Sequence, residues 1–168
     1  QPFGVDVVDN AVEALHHAFD DENGGFSVRP KFPPHADLGF LREYPSRRGG
    51  LGGDANLARA LTDQSVEMRQ LTLVNMALGG LRDHVGGGFH RYATDAVWLL
   101  PHFEKMLYDN AQLLREYALA AADSAFSEAE RALFAEARDG IIAWLRREMT
   151  LENGMFASAQ DADSLDAH

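Results

Sequence analysis

The chain has 168 residues, enough for one domain or a piece of a larger one, and its 46% hydrophobic content is sufficient for a core. With 26 acidic against 15 basic residues the net charge is -11, which opposes nucleic acid and anionic membranes, because both require a basic face. Cysteine is absent, excluding disulfides, thiolate metal sites and thiol redox chemistry within this chain.

No apolar run approaches the ~18 residues of a membrane span, and QPFGVDVVDN lacks the basic start and apolar stretch of a signal peptide. The expectation is a cytoplasmic protein with no membrane partner. The first residue is Gln rather than Met, so we expect the N-terminus to be processed or the chain to continue upstream.

Val5, Val8, Val12, Leu15 and Phe19 fall at helical spacing and predict a first helix over about 5–20. A short second helix follows Pro33 and Pro34 and carries Leu38, Leu41 and Tyr44. The glycine-rich RRGGLGGD reads as a loop, after which Val66, Leu73, Met76 and Ala77 mark a third helix over about 64–78. The fourth is expected to begin near His102, after Pro101, with Phe103, Leu107, Leu114, Tyr117 and Ala121 along one stripe. Ser127-Glu128-Ala129-Glu130 is a capping-box pattern opening a fifth helix that runs to about Met149. Nothing alternates with period two, so the predicted fold class is all-α.

Three loops resemble one another: ENGGFSVRPKFP at 22–33, GGGFHRYATD at 86–95 and ENGMFASAQDAD at 152–163. Their phenylalanines, Phe26, Phe89 and Phe156, recur at nearly equal intervals, each long enough for two helices. Consecutive antiparallel helices alternate in direction, so loops two helices apart emerge at the same end. The pattern predicts repeated helical hairpins with all three glycine-aromatic loops on one face, where a binding site would sit.

GGGFHRY, Trp98 and PHFEKMLYDNAQ, together with GGF before PKFP and the closing SAQDADS, closely resemble the YyaL-type, spermatogenesis-associated thioredoxin-domain proteins. The resemblance covers nearly the whole chain. It implies a two-part design, a thioredoxin-like domain followed by a six-hairpin (α/α) toroid similar to N-acylglucosamine epimerases and six-hairpin glycosidases. On that basis 1–168 is a partial toroid of about two and a half hairpins, with the thioredoxin-like domain absent. RRGGLGGD departs from the family pattern.

Within the glycine-aromatic loops, Gly86, Gly87 and Gly88 permit positive φ and close backbone approach to a ligand, and they equally fit a helix terminator with a tight turn. His90 and His102 are the candidates for proton transfer, since an imidazole titrates near pH ~6.5 and can move a proton next to a sugar carbonyl. Arg91 would hold an anionic or hydroxyl group. Placed on a helix, Glu104 and Tyr108 share a face, and Lys105 and Asp109 form a neighbouring ion pair. Glu104 would lie in the first turn, where the helix dipole favours a carboxylate.

Asp161 or Asp163 could supply the second carboxyl group that glycosidic hydrolysis needs, or cap an acidic turn. Phe89, Tyr92 and Trp98 could present flat faces to a sugar, or close a small local core. DADSLDAH fails as a calcium loop at Leu165 and Asp166, and no P-loop sequence occurs, so no metal or other cofactor is expected. Two functions remain open: a sugar-active module, and a non-catalytic helical scaffold serving a thioredoxin-like partner. The expected partners are a sugar ligand, the remaining hairpins or thioredoxin-like domain of a longer protein, or a second copy of the chain.

Overall fold

Helical spacing of apolar residues governs the architecture seen in a computed structural model, which describes residues 4–163. Among these residues five helices form: α1 (Val5–Ala18), α2 (His35–Arg48), α3 (Ala55–Leu78), α4 (Leu107–Ala120) and α5 (Glu128–Trp144). A π-helical turn, Leu145–Met149, continues α5. The fold is all-α, as the spacing indicates; the strands are two-residue pairings inside the loops. They are β1 (Tyr92–Ala93), β2 (Pro101–His102), β3 (Lys105–Met106) and β4 (Ala159–Gln160).

The helices lie in two layers. α1, α3 and α5 pack side by side, while α2 and α4 pack against one another and against α3 and α5 respectively. Leu73, Met76, Leu81, Phe89, Leu113, Tyr117, Phe134 and Ile141 fill the larger core between α3, α4 and α5. Val12, Leu41, Tyr44, Leu61 and Met68 fill a smaller one between α1, α2 and α3. Beside the latter, Asp9 accepts from Arg48 at 2.7 Å and from the Tyr44 hydroxyl at 2.8 Å. Burial opposes the Asp9 charge, but these two donors outweigh it and hold its carboxyl below the ordinary range; burial and Asp9 together push Tyr44 up to about 12.

The capping box opens α5 as expected, with Glu130 N donating to Ser127 Oγ and Ser127 N donating to the Glu130 carboxylate. Two boundaries differ from the sequence expectation. α3 starts at Ala55 rather than near Gln64, because Asp54 caps it by accepting from Asn56 N and Leu57 N. Its first turns bury only Leu61, so they leave little apolar periodicity to read. α4 starts at Leu107, not His102. Residues 101–106 are drawn out instead by two antiparallel ladders, Tyr92↔His102 with Ala93↔Pro101, and Lys105↔Gln160 with Met106↔Ala159.

Those ladders also gather the loops. Lys31 and Ala93 exchange backbone hydrogen bonds of 2.8 and 2.9 Å, joining the first glycine-aromatic loop to the second. The β3–β4 pairing joins the second to the third. All three therefore lie at one end of the helices, the arrangement that their separation by two helices requires. No described helix is long and apolar enough to cross a membrane.

Candidate functional site

Two of the gathered loops are copies of one turn. In Asp20-x-x-x-Gly24-Gly25-Phe26 and Asp83-x-x-x-Gly87-Gly88-Phe89, the aspartate N donates to the carbonyl of the second glycine, at 3.0 Å in both. The first glycine N donates back to the aspartate carbonyl, at 2.8 and 2.9 Å. All four glycines have positive φ. At Gly87 a Cβ would fall 2.3 Å from the Gly140 carbonyl oxygen, so only glycine fits.

Each aspartate side chain grips a lysine at 2.6 Å, Asp20 with Lys31 and Asp83 with Lys105. Each ammonium also donates to a carbonyl, Ala96 at 2.9 Å and Gly87 at 2.8 Å. It sits over an indole besides, 5.1 Å from the Trp98 ring and 5.6 Å from that of Trp144. The third loop makes a turn one residue shorter, in which Leu151 N donates to the Met155 carbonyl at 2.7 Å and Gly154 N to that of Leu151 at 2.8 Å, and no Asp stands at its start. These Asp–Lys–Trp latches were not among the sequence candidates. The shared D-x-x-x-G-G-F spacing was the signal that could have found them.

Several sequence candidates meet on this platform. The β1–β2 register lays His102 on Tyr92, ring centroids 4.9 Å apart and nearly parallel, and Phe32 covers Tyr92 at 4.9 Å. His90 is buried and its Nδ1 lies 3.0 Å from the Phe103 carbonyl, which fixes that nitrogen as the donor and leaves the lone pair on Nε2. Burial pushes the His90 imidazole below its ordinary value; the Phe103 carbonyl opposes this, and the charges of Lys105 and His102 add to it. His90 is thereby favoured as a neutral base.

Arg91 donates to Glu104 at 2.8 Å, and its backbone N donates to the Glu104 carbonyl at 2.7 Å. Bonding to Glu104 and then to the Tyr108 hydroxyl raises the Arg91 guanidinium above its usual value. Arg91 Nε and His102 Nδ1 are both buried and have no partner among the described residues. Asp161 and Asp163 are exposed at the end of the third loop, where Asp163 N donates to Asp161 Oδ1 at 3.3 Å. The Lys105↔Gln160 register, carried one residue further, brings Asp161 to the end of the ladder where Glu104 lies. The remainder of DADSLDAH, from Ser164 on, lies outside the described residues.

Other candidates are corrected. Trp98 offers no face to a ligand: it is fully buried, adopts φ 63°, and donates Nε1 to the Asn23 carbonyl at 2.8 Å. The free position of its ring is taken by Lys31. Glu104 is not in a first helical turn, so no helix dipole supports it and it shares no helix face with Tyr108; Arg91 pairs with it instead. The Lys105–Asp109 pair does not form. Lys105 is taken by Asp83, and Asp109 accepts from His35 Nε2 at 3.0 Å. Gly87 and Gly88 face Gly140, Asn110 and Trp144, which makes them packing positions, and Gly86 has no positive φ.

One open cleft lies between α2 and α4. It encloses about 480 Å³ and is lined by His35, Phe40, Arg42, Arg47 and Arg115, and His35 also borders a second hollow of about 400 Å³ under Phe32, Pro33 and Pro34. The sequence reading overlooked His35 and these arginines because helical surface positions carry no signal of their own.

No family model matches the chain. It is 39% identical over 97% of its length to human spermatogenesis-associated protein 20, and 41% identical over 90% to that of Rattus norvegicus. An uncharacterised protein of Caenorhabditis elegans is 38% identical over 90% of the chain. The chain spans only 19% of the human relative and 18% of the rat one. Among solved structures, a sugar epimerase from a ruminal bacterium superimposes with a TM-score of 0.62 at 17% identity, covering 94% of this chain and 40% of that one. That likeness is one of fold, part of a ring of helical hairpins. By sequence the chain is similar to a segment of these spermatogenesis-associated proteins, and by fold it is similar to part of the sugar epimerase.

Proposed function

We propose that the loop end is a sugar-binding site at which His90 and His102 exchange a proton at the carbon next to a sugar carbonyl. The observation that carries this is the meeting of His90, the Tyr92–His102 stack and the Arg91–Glu104 pair, with His102 Nδ1 and Arg91 Nε left without partners. The sugar epimerase fold supports it. In this reading His90 Nε2 takes the proton, His102 returns one, Arg91 steadies the carbonyl oxygen as charge develops, and the edge of Tyr92, whose faces His102 and Phe32 occupy, borders the ring. Glu104 and Asp161 are the supporting carboxylates, with Asp163 and Tyr108 at the rim.

The test is solvent-deuterium incorporation into a panel of aldoses and N-acylated hexosamines, with the full-length protein. Incorporation next to the carbonyl is expected for at least one sugar, and it should vanish in the His90→Gln/His102→Gln double variant while helical circular dichroism is unchanged. No incorporation from any sugar would refute the reading.

A second reading, a non-catalytic scaffold working with a thioredoxin-like domain, is favoured by the interlocking of Trp98, Lys105, Gly87 and Gly88 in packing. Both readings place the chain within a longer protein that supplies the remaining hairpins, and the activity of that protein in the cytoplasm is part of the proposal.

A further inference from the structure

We propose that the cleft between α2 and α4 binds the acidic group, phosphate or carboxylate, of an anionic sugar. This rests on the sugar reading above and adds the substrate class. Charge is the first argument. In a chain of net charge -11, the cleft gathers the guanidinium groups of Arg42, Arg47 and Arg115 against the carboxylates of Glu43 and Glu116.

Those carboxylates are already spent. Glu116 accepts from Arg42 Nε at 3.1 Å, and Glu43 accepts from Arg42 and, at 3.2 Å, from Arg47 Nε. Arg42 is thus a fixed floor. Arg115 has no acidic partner among the described residues, and Arg47 is bonded only through Nε, with its side chain 76% exposed. Two guanidinium ends therefore remain for an incoming anion, and a guanidinium fork matches a phosphate or carboxylate in two parallel hydrogen bonds.

Geometry is the second argument. The cleft volume of about 480 Å³ falls within the ordinary range of small-molecule sites. His35, held by Asp109, forms the boundary with the hollow under Phe32. Phe32 is stacked on Tyr92 and Tyr92 on His102, each at 4.9 Å. The arginine cleft and the hollow therefore adjoin at His35, and the packed Phe32–Tyr92–His102 stack leads on from the wall of the hollow.

The test measures binding to the full-length protein by calorimetry at low and moderate salt, using inorganic phosphate, glucose 6-phosphate, galacturonate and glucose. Glucose 6-phosphate and galacturonate should bind about tenfold tighter than glucose, and Arg47→Gln/Arg115→Gln should remove that advantage, as expected for the loss of charge-assisted hydrogen bonds. Arg138→Gln, on α5, should leave it unchanged. Equal affinity for charged and neutral sugars, or affinity indifferent to Arg47→Gln/Arg115→Gln, overturns the proposal. Inorganic phosphate separates the two readings: if it binds through these arginines while no sugar exchanges deuterium, the cleft stands and the epimerase reading falls. If phosphate does not bind, the cleft proposal falls whatever the sugars do.

Discussion

Lys31 and Lys105 are the least expected residues in the structure, since an ammonium is seldom buried unless paired. Their side chains are 0% and 6% exposed, and each is neutralised by one aspartate and seated on one indole. Lys105→Met should leave Asp83 without a cation. The cost of breaking such a pair is ~3–5 kcal/mol when fully buried, and the lower end is expected here because Asp83 is 26% exposed. Urea unfolding at pH 7 measures it.

A pH series adds a second readout. Burial opposes the Asp83 charge, but Lys105 and the backbone N–H groups of Gly86 and Val85 outweigh it and hold its carboxyl at about 2. The unfolded chain binds that proton more tightly, so this stability is present above pH ~3.8 and disappears as pH falls toward 2. In Lys105→Met most of this acid sensitivity should disappear. His90 runs in the same direction at higher pH: its folded value is lowered, so its contribution is complete above pH ~6.5 and declines below it. His90→Gln should flatten that decline in a stability profile, and a profile identical to that of the parent protein would argue against the burial account.

At the scale of elements, caps and turns set where the helices start, and ladders set where they cannot. Ser127→Ala removes the capping box of α5 and should cost about 1 kcal/mol in urea unfolding, with the fold retained. Gly87→Ala is a harsher change. It combines φ 77° with a Cβ 2.3 Å from the Gly140 carbonyl, so the turn must leave α5. The backbone penalty alone is ~1–2 kcal/mol, and the clash adds to it. Because Gly87 also supplies the carbonyl that Lys105 holds, this variant should lose the Asp83–Lys105 latch as well, which the same pH series would report.

At the scale of the molecule, the two helix layers leave one end polar and aromatic and also apolar. Val28, Val85, Leu99, Leu100, Phe103 and Met155 are all more than half exposed there. A partial ring of hairpins would leave uncovered seams on the flanks of its first and last helices, α1 and α5. Val7 of α1 is half exposed, but α5 shows no large exposed hydrophobic side chain, so the uncovered apolar surface lies mainly on the loops. We expect concentration-dependent association through that end, or its burial by the remaining hairpins in a longer chain. Light scattering over a concentration series checks this, and Leu99→Glu/Leu100→Glu should lower the associated mass. A monomer at every concentration would remove the expectation.

Much of this was legible in the amino-acid order. Apolar periodicity, Pro33-Pro34 and Ser127-x-x-Glu130 fix the helices locally, and three glycine-aromatic loops two helices apart must emerge together, because antiparallel packing alternates direction. His90, Arg91 and Tyr92 could be singled out for the same reason, as ionisable and aromatic groups crowded onto one such loop. What only the tertiary structure decided are the partners. HFEKM has the apolar spacing of a helix, yet it is extended because Tyr92–Ala93 and Ala159–Gln160 offer it ladder hydrogen bonds from distant loops. Lys105 is claimed by Asp83 and Asp109 by His35, and the arginines of α2 and α4 meet across a cleft. Local spacing fixes neighbours three and four residues apart, whereas these pairings join segments that folding brings together, and burial then selects among the charges available there.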